Sequence, residues 1–230
     1  MAYVHTLKRI RQRKTNYRKR SGILIGRRPF IITKISGQNI SAQALKPTLT
    51  GDIVIASAHS RELIHHGWKG SMNSMPACYL TGLLLGKKTI EKGATNAVLY
   101  TGNNPFTTKV AACLKGIVDS GINIPVSKES LPGDDRVSGE HIAKYANLLK
   151  DSEEKYNSRF SALLKQGLRP ENYPVHFEEV RLRISDKSAS VDKKLNESDI
   201  QVNKLSKEGS RNTTMTKLKS SSKEVISRNE

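Results

Sequence analysis

Apolar positions along this chain change their spacing three times, and each change marks a different kind of structure. They are isolated over residues 1–22 and crowd together from Ile23 onward. The strings Ile23-Leu24-Ile25, 30–35 and 40–45 read as strands, and the gap Ser36-Gly37-Gln38-Asn39 joins the last two as a hairpin. Pro47 and Gly51 then punctuate the chain before Asp52-Ile53-Val54-Ile55-Ala56, which follows the hairpin pair as a third strand, rich in β-branched residues.

The period then lengthens to that of a helix. Ala77, Leu80 and Leu84 share one face, Asn73 or Ser74 can cap, Pro76 fits the first turn and Gly93 can end the helix. A second helix starts near Thr107, carries Val110, Leu114, Ile117 and Val118 on one side, and stops at Gly121. Between the two, Ala97-Val98-Leu99-Tyr100 reads as a short buried strand. The order β-β-β-α-β-α predicts an α/β fold with a mixed sheet and helices packed on it.

Residues 128–185 read as a helical extension. Ile142, Tyr145 and Leu149 form one stripe after Ser138. The segment from Asp151 to Glu154 has capping-box spacing ahead of Tyr156, Phe160, Leu163 and Leu164; Gly167 and Pro170 stop that helix, and Phe177, Val180 and Ile184 suggest a last one. This extension is expected to dock on the core or on a neighbouring protein. From 186 to 230 aromatic residues are absent and Ser, Lys, Asn and Thr dominate, which predicts a disordered tail. The expected domains are therefore an arm over 1–22, a core over 23–127, an extension over 128–185 and a tail over 186–230.

Charge changes the picture most in the first half. The net charge is +18 and the isoelectric point about 10.0, which favours nucleic acid as partner because phosphates are the densest fixed anions a protein meets. Residues 1–127 carry 19 Lys and Arg against only Asp52, Glu62, Glu91 and Asp119, and the first 51 residues contain no acid. Over 128–185 the signs balance at ten each. No apolar run is long enough to cross a bilayer and no secretory signal opens the chain, so an intracellular, soluble product without membrane contact is expected. Cys78 and Cys113 lie in apolar segments without ligand partners at short spacing and are expected to be reduced, buried packing residues. His59, His65 and His66 have no thiol at ligand spacing, and no metal is expected there.

Catalytic patterns fail on inspection. The string from Gly82 to Thr89 has three residues between its glycines where a phosphate-binding loop needs four, and a second lysine precedes the threonine. Gly82 and Gly86 are better explained as points of close helix packing. A two-metal nuclease needs converging carboxylates, whereas the four acids of the basic half are scattered, and no serine has an evident triad. No catalytic residue, metal or cofactor is expected.

The basic segments offer a binding surface instead. Lys8, Arg9, Arg11, Arg13, Lys14, Arg18, Lys19 and Arg20 are interleaved with Asn16 and Tyr17, a stacking ring among cations. A solubilising or import tail is the bland alternative, but eight cations in 20 residues without an acid favour direct RNA contact. Like-charge repulsion should keep this arm extended or flexible until phosphates neutralise it. Arg27, Arg28, Lys34 and Asn39 would extend the patch over the hairpin. His59, Ser60 and Arg61, with Trp68 and Lys69, form a further candidate group, in which Trp68 either caps the core or packs on a base or sugar. The loop from Thr101 to Phe106 is a weaker candidate.

Several strings carry a resemblance: residues 15–20 (TNYRKR), 26–29 (GRRP), 56–63 (ASAHSREL), 67–70 (GWKG), 79–86 (YLTGLLLG), 99–102 (LYTG) and 111–116 (AACLKG). Up to about Ile184 the chain resembles ribosomal protein eighteen of the large subunit in its archaeal form, related to a longer eukaryotic counterpart. The resemblance implies a ribonuclease-H-like core without nuclease activity. It also implies attachment to 5S rRNA in the central protuberance, contacts with 23S rRNA and neighbouring large-subunit proteins, a cytoplasmic ribosomal setting and an archaeal source. Residues 186–230 continue past the expected end of archaeal relatives. Two other classes remain open from the residues alone: a nonspecific RNA-binding chaperone, and a metal-dependent nuclease, which would lose magnesium-dependent cleavage in Asp52→Asn.

Overall fold

The computed structural model describes residues 6–48 and 51–185. Its first elements are helices where extended chain was expected: α1 (Lys8–Arg11) and α2 (Tyr17–Gly26). Asn16 starts α2 by accepting a hydrogen bond from the Lys19 amide at 3.1 Å, and the helix then runs through Ile23, Leu24 and Ile25. Those three residues are thus helical and not a strand. Local capping and the good helix formers before them outweigh the β preference of two isoleucines, because tertiary pairing on a sheet is missing there.

The sheet has the order β3-β2-β1-β4 and comprises β1 (Phe30–Ile35), β2 (Ile40–Pro47), β3 (Asp52–His59) and β4 (Val98–Leu99). The expected hairpin forms, with Ile35 opposite Ile40 and the Ser36 amide donating to the Asn39 carbonyl at 2.8 Å. β3 is longer than the sequence pattern suggested and takes in Ser57 through His59, which pairs with Ser41. β4 joins β1 in parallel, Phe30 opposite Val98 and Ile31 opposite Leu99, which makes the sheet mixed.

Strand alternation divides the sheet into two faces. Ile31, Ile40, Ala42 and Ala44 are buried in the main core. Over that face lie α3 (Met75–Glu91) and α4 (Thr108–Asp119), which start at Ser74 and Thr107 as their hydroxyls accept from the Ala77 and Val110 amides. Asn73, the other candidate cap, instead donates to the Ser36 and Gly37 carbonyls at 3.0 and 2.8 Å, tying the hairpin turn to α3. The two helices meet backbone to backbone. A methyl group on Gly82 would overlap the Cys113 carbonyl, and one on Gly116 the Tyr79 carbonyl, so glycine is required for this approach. Leu80, Leu85, Leu114 and Ile117 are fully buried around the contact, each worth about 1.5–3 kcal/mol. Cys78 and Cys113 are free and buried; burial pushes the Cys78 thiol up to about 12, so it stays protonated.

The extension comprises α5 (Asp134–Ser138), α6 (Glu140–Leu148), α7 (Glu153–Lys165) and α8 (173–185). Gly139, at φ +86°, divides α5 from α6. The capping box between Asp151 and Glu154 does not form; Ser152 occupies the cap position without a side-chain bond. Tyr145 of the expected stripe is 46% exposed and touches Phe160 at a ring distance of 6.1 Å. α8 docks on the core: Phe177, Val180 and Ile184 are buried, Phe177 lies 5.6 Å from Tyr79, and Tyr173 meets the edge of Trp68 at 5.5 Å. The tail expected to be disordered lies outside the described residues.

Candidate nucleic-acid interface

The basic arm is pinned to the sheet at one point of opposite charge. Arg20, on α2, makes two hydrogen bonds of 2.8 Å to the two carboxylate oxygens of Asp52, the first residue of β3. This bond holds the guanidinium charge more firmly, raising Arg20 above its ordinary range. Lys19 donates to the Gly102 carbonyl at 3.2 Å, and Asn103 donates to the Arg13 carbonyl at 2.6 Å. The loop after β4, the weaker candidate of the sequence, is therefore the dock on which the arm rests.

The arm presents its remaining cations outward. Lys8, Arg9, Arg11, Arg13, Lys14, Arg18, Lys19, Arg27 and Arg28 are all exposed, and Arg20 is the one cation of this segment paired with a described acid. Tyr17 is 38% exposed among them, available for stacking, while Asn16 is committed to its cap. Arg13 and Arg27 have φ of +52° and +49°, so the chain turns at the ends of both short helices through arginines in the left-handed region. Such a conformation costs roughly 1–2 kcal/mol in a residue with a side chain. Arg9, Arg13 and Lys14 line a cleft of about 450 Å³ against Tyr100 and Asn103, with Arg20 and Asp52 in its wall.

The other candidates gather elsewhere. Lys34, Arg61 and Lys69 are exposed, and Asn39 is half-buried. His59 uses Nδ1 to accept from the Arg61 amide at 3.1 Å, while its own amide donates to Glu62. This closes the start of the 3-10 turn Ser60–His66. Two expectations are corrected. Ser60 is fully buried, accepting from the Ile40 amide at 3.1 Å, so its hydroxyl serves the hairpin and is not open to RNA. Trp68 is 3% exposed between Tyr173 and His176, so its ring caps the core beneath the extension. The patch is also split, because Asp52 and His59 stand at opposite ends of β3, roughly 23 Å apart at about 3.3 Å per residue.

The four acids of the basic half are dispersed. Asp52 is held by Arg20, Glu62 by Lys88, and Asp119 accepts from the Tyr79 hydroxyl at 2.8 Å. Among the described residues no three His, Cys, Asp or Glu side chains come together as a metal site. None of the described helices is long and apolar enough to cross a membrane.

Residues 2–109 match the family of ribosomal large subunit proteins 60S L5 and 50S L18. The large ribosomal subunit protein uL18 of Thermofilum pendens is 45% identical over 183 residues, covering 78% of this chain and 93% of that protein. The chain belongs to this ribosomal protein family. It is of the archaeal uL18 type, a structural constituent of the large ribosomal subunit, with ribosomal RNA and ribosomal proteins as partners. Its setting is the cytoplasmic ribosome, and its family is structural and not catalytic. The sequence did not reveal the Arg20–Asp52 anchor, although a first acid after 51 residues without one was a signal available for it.

Proposed function

We propose that this chain binds 5S rRNA and helps attach it to 23S rRNA in the central protuberance, with the arm as its main grip. The observation that carries this reading is the arm itself: a row of exposed cations on two short helices, anchored by the Arg20–Asp52 pair so that the row has a fixed start. Anchoring lowers the ordering cost of binding, and phosphate contacts from Lys8 to Arg28 then position the RNA without reading sequence. Lys34, Arg61 and Lys69 would serve separate phosphates near the hairpin end, and the exposed faces of 128–185 would meet neighbouring proteins.

Footprinting of 5S rRNA with the full chain and with a variant lacking residues 1–20 tests this. Protection should appear at low salt with the full chain and largely vanish without the arm. Unchanged protection after the deletion would count against the arm. Ready displacement by excess unrelated RNA would indicate nonspecific binding, as of an RNA chaperone, in place of 5S recognition.

A further inference from the structure

A second cleft of about 510 Å³ opens between the carboxyl end of β1 and the amino end of α4. Parallel strands β1 and β4 both run toward it, and crevices at the carboxyl ends of parallel strands are where α/β sheets hold ligands. Three features of its lining point to one kind of occupant.

The first is a hydroxyl without a partner. Thr33 lines the cleft, is 4% exposed, and its Oγ1 makes no hydrogen bond. Buried hydroxyls are nearly always paired, so this one keeps unused hydrogen-bonding capacity in the wall of the cleft. The second is the α4 terminus. Thr107 caps the Val110 amide, leaving the amides of Thr108 and Lys109 in the first turn, where a helix has no carbonyls for them. Lys34 and Lys109 flank this end, and the lining contains no carboxylate. The third is apolar wall, supplied by Ile35, Pro105 and Val110.

We propose that this cleft receives a single unstacked nucleotide of ribosomal RNA. Its phosphate lies against the α4 terminus between Lys34 and Lys109, and its base enters between Ile35 and Pro105 to reach the Thr33 hydroxyl. The volume is that of a small-ligand site, larger than a phosphate needs, and single-stranded RNA is recognised through bases splayed out of the stack. Asn104 lines both this cleft and the one beneath the arm, so the two clefts adjoin and a strand held by the arm has this opening within reach. In that respect the inference rests on the arm's role in RNA binding, although the pocket can be tested without it.

The test is a titration of the full chain with AMP and UMP, followed by amide NMR, beside inorganic phosphate and the free nucleosides. The mononucleotides should shift the amides of Thr33, Thr108 and Lys109, and should bind more tightly than phosphate or nucleoside alone. Thr33→Val should weaken them about tenfold while leaving the melting temperature unchanged or higher, since it removes an unpaired buried hydroxyl. Lys109→Gln, at a half-exposed position, should weaken them in a salt-dependent way. Equal shifts and affinity with phosphate alone would reduce the cleft to an anion site and overturn base insertion. So would the absence of shifts at these amides, or an unchanged affinity in Thr33→Val. None of these outcomes touches the 5S footprint of the arm, so failure of either idea is seen separately.

Discussion

Arg20 and Asp52 lie 32 residues apart in sequence and meet through two parallel hydrogen bonds of 2.8 Å, the sole ion pair between the described arm and the sheet. Both side chains are mostly shielded, at 26% and 19% exposure, so the pair is screened less than a surface bridge. A double-mutant cycle over Arg20→Ala and Asp52→Ala should give a coupling of about 1 kcal/mol. In hydrogen exchange the amides of α2 should lose protection in either single variant. Unaltered exchange in Asp52→Ala would show that the arm does not depend on this anchor.

The glycines of the chain separate into two kinds, and alanine should act in opposite directions on them. Gly82→Ala and Gly116→Ala each force a methyl group into a backbone carbonyl of the facing helix, and should destabilise by about 3 kcal/mol, the upper end for overpacking. Gly22, on α2, has open space around its α-carbon, and Gly22→Ala should add roughly 0.5–1 kcal/mol of helix stability. Urea unfolding reads the first pair and far-ultraviolet circular dichroism the last.

How much of this was legible in the sequence depended on whether signals at different levels agreed. For α3 and α4, caps at Ser74 and Thr107, apolar period and terminal glycines all pointed the same way, and both helices appeared where expected. For Ile23-Leu24-Ile25 they conflicted: β-branched side chains suggested a strand, yet Asn16 had already started a helix seven residues earlier. Within the candidate surface, charge was readable because it belongs to residue types. Burial was not, since the enclosure of Trp68 depends on Tyr173 and His176 about a hundred positions away. The cleft at Thr33 was invisible for the same reason, being formed by a strand and a helix terminus distant in sequence.

Arg27 combines a positive φ with an exposed charge, and one substitution removes both while stability and RNA affinity report on each separately. Arg27→Gly removes a strain of roughly 1 kcal/mol and a cation together. The fold should be as stable or slightly more so, while RNA affinity falls and the slope of log K against log salt becomes shallower by about 1. For six phosphate contacts the parent slope should lie at about −4 to −5. If the slope is the same in both proteins, Arg27 makes no phosphate contact.

His176 makes the seat of the extension sensitive to acid. It is 8% exposed, its ring stacks on Trp68 at 5.3 Å, and its Nε2 accepts from the Lys69 amide at 3.0 Å. That bond requires an unprotonated Nε2, hence a neutral ring. Burial lowers the affinity of the ring for a proton; Glu179 opposes this, and the charges of Lys69 and Arg183 reinforce it. Because the folded pKa is depressed, the unfolded chain binds the proton more readily in the window below about pH 6.5. The histidine's contribution is therefore complete above that pH and is lost as pH falls toward the folded value, with a slope of at most about 1.4 kcal/mol per pH unit. Glutamine can still accept from the Lys69 amide but does not titrate, so His176→Gln should flatten the pH dependence of stability between pH 7.5 and 5. Urea midpoints measured across that range should separate the two proteins increasingly toward acid. Parallel curves would mean that the docking of α8 is insensitive to this ring.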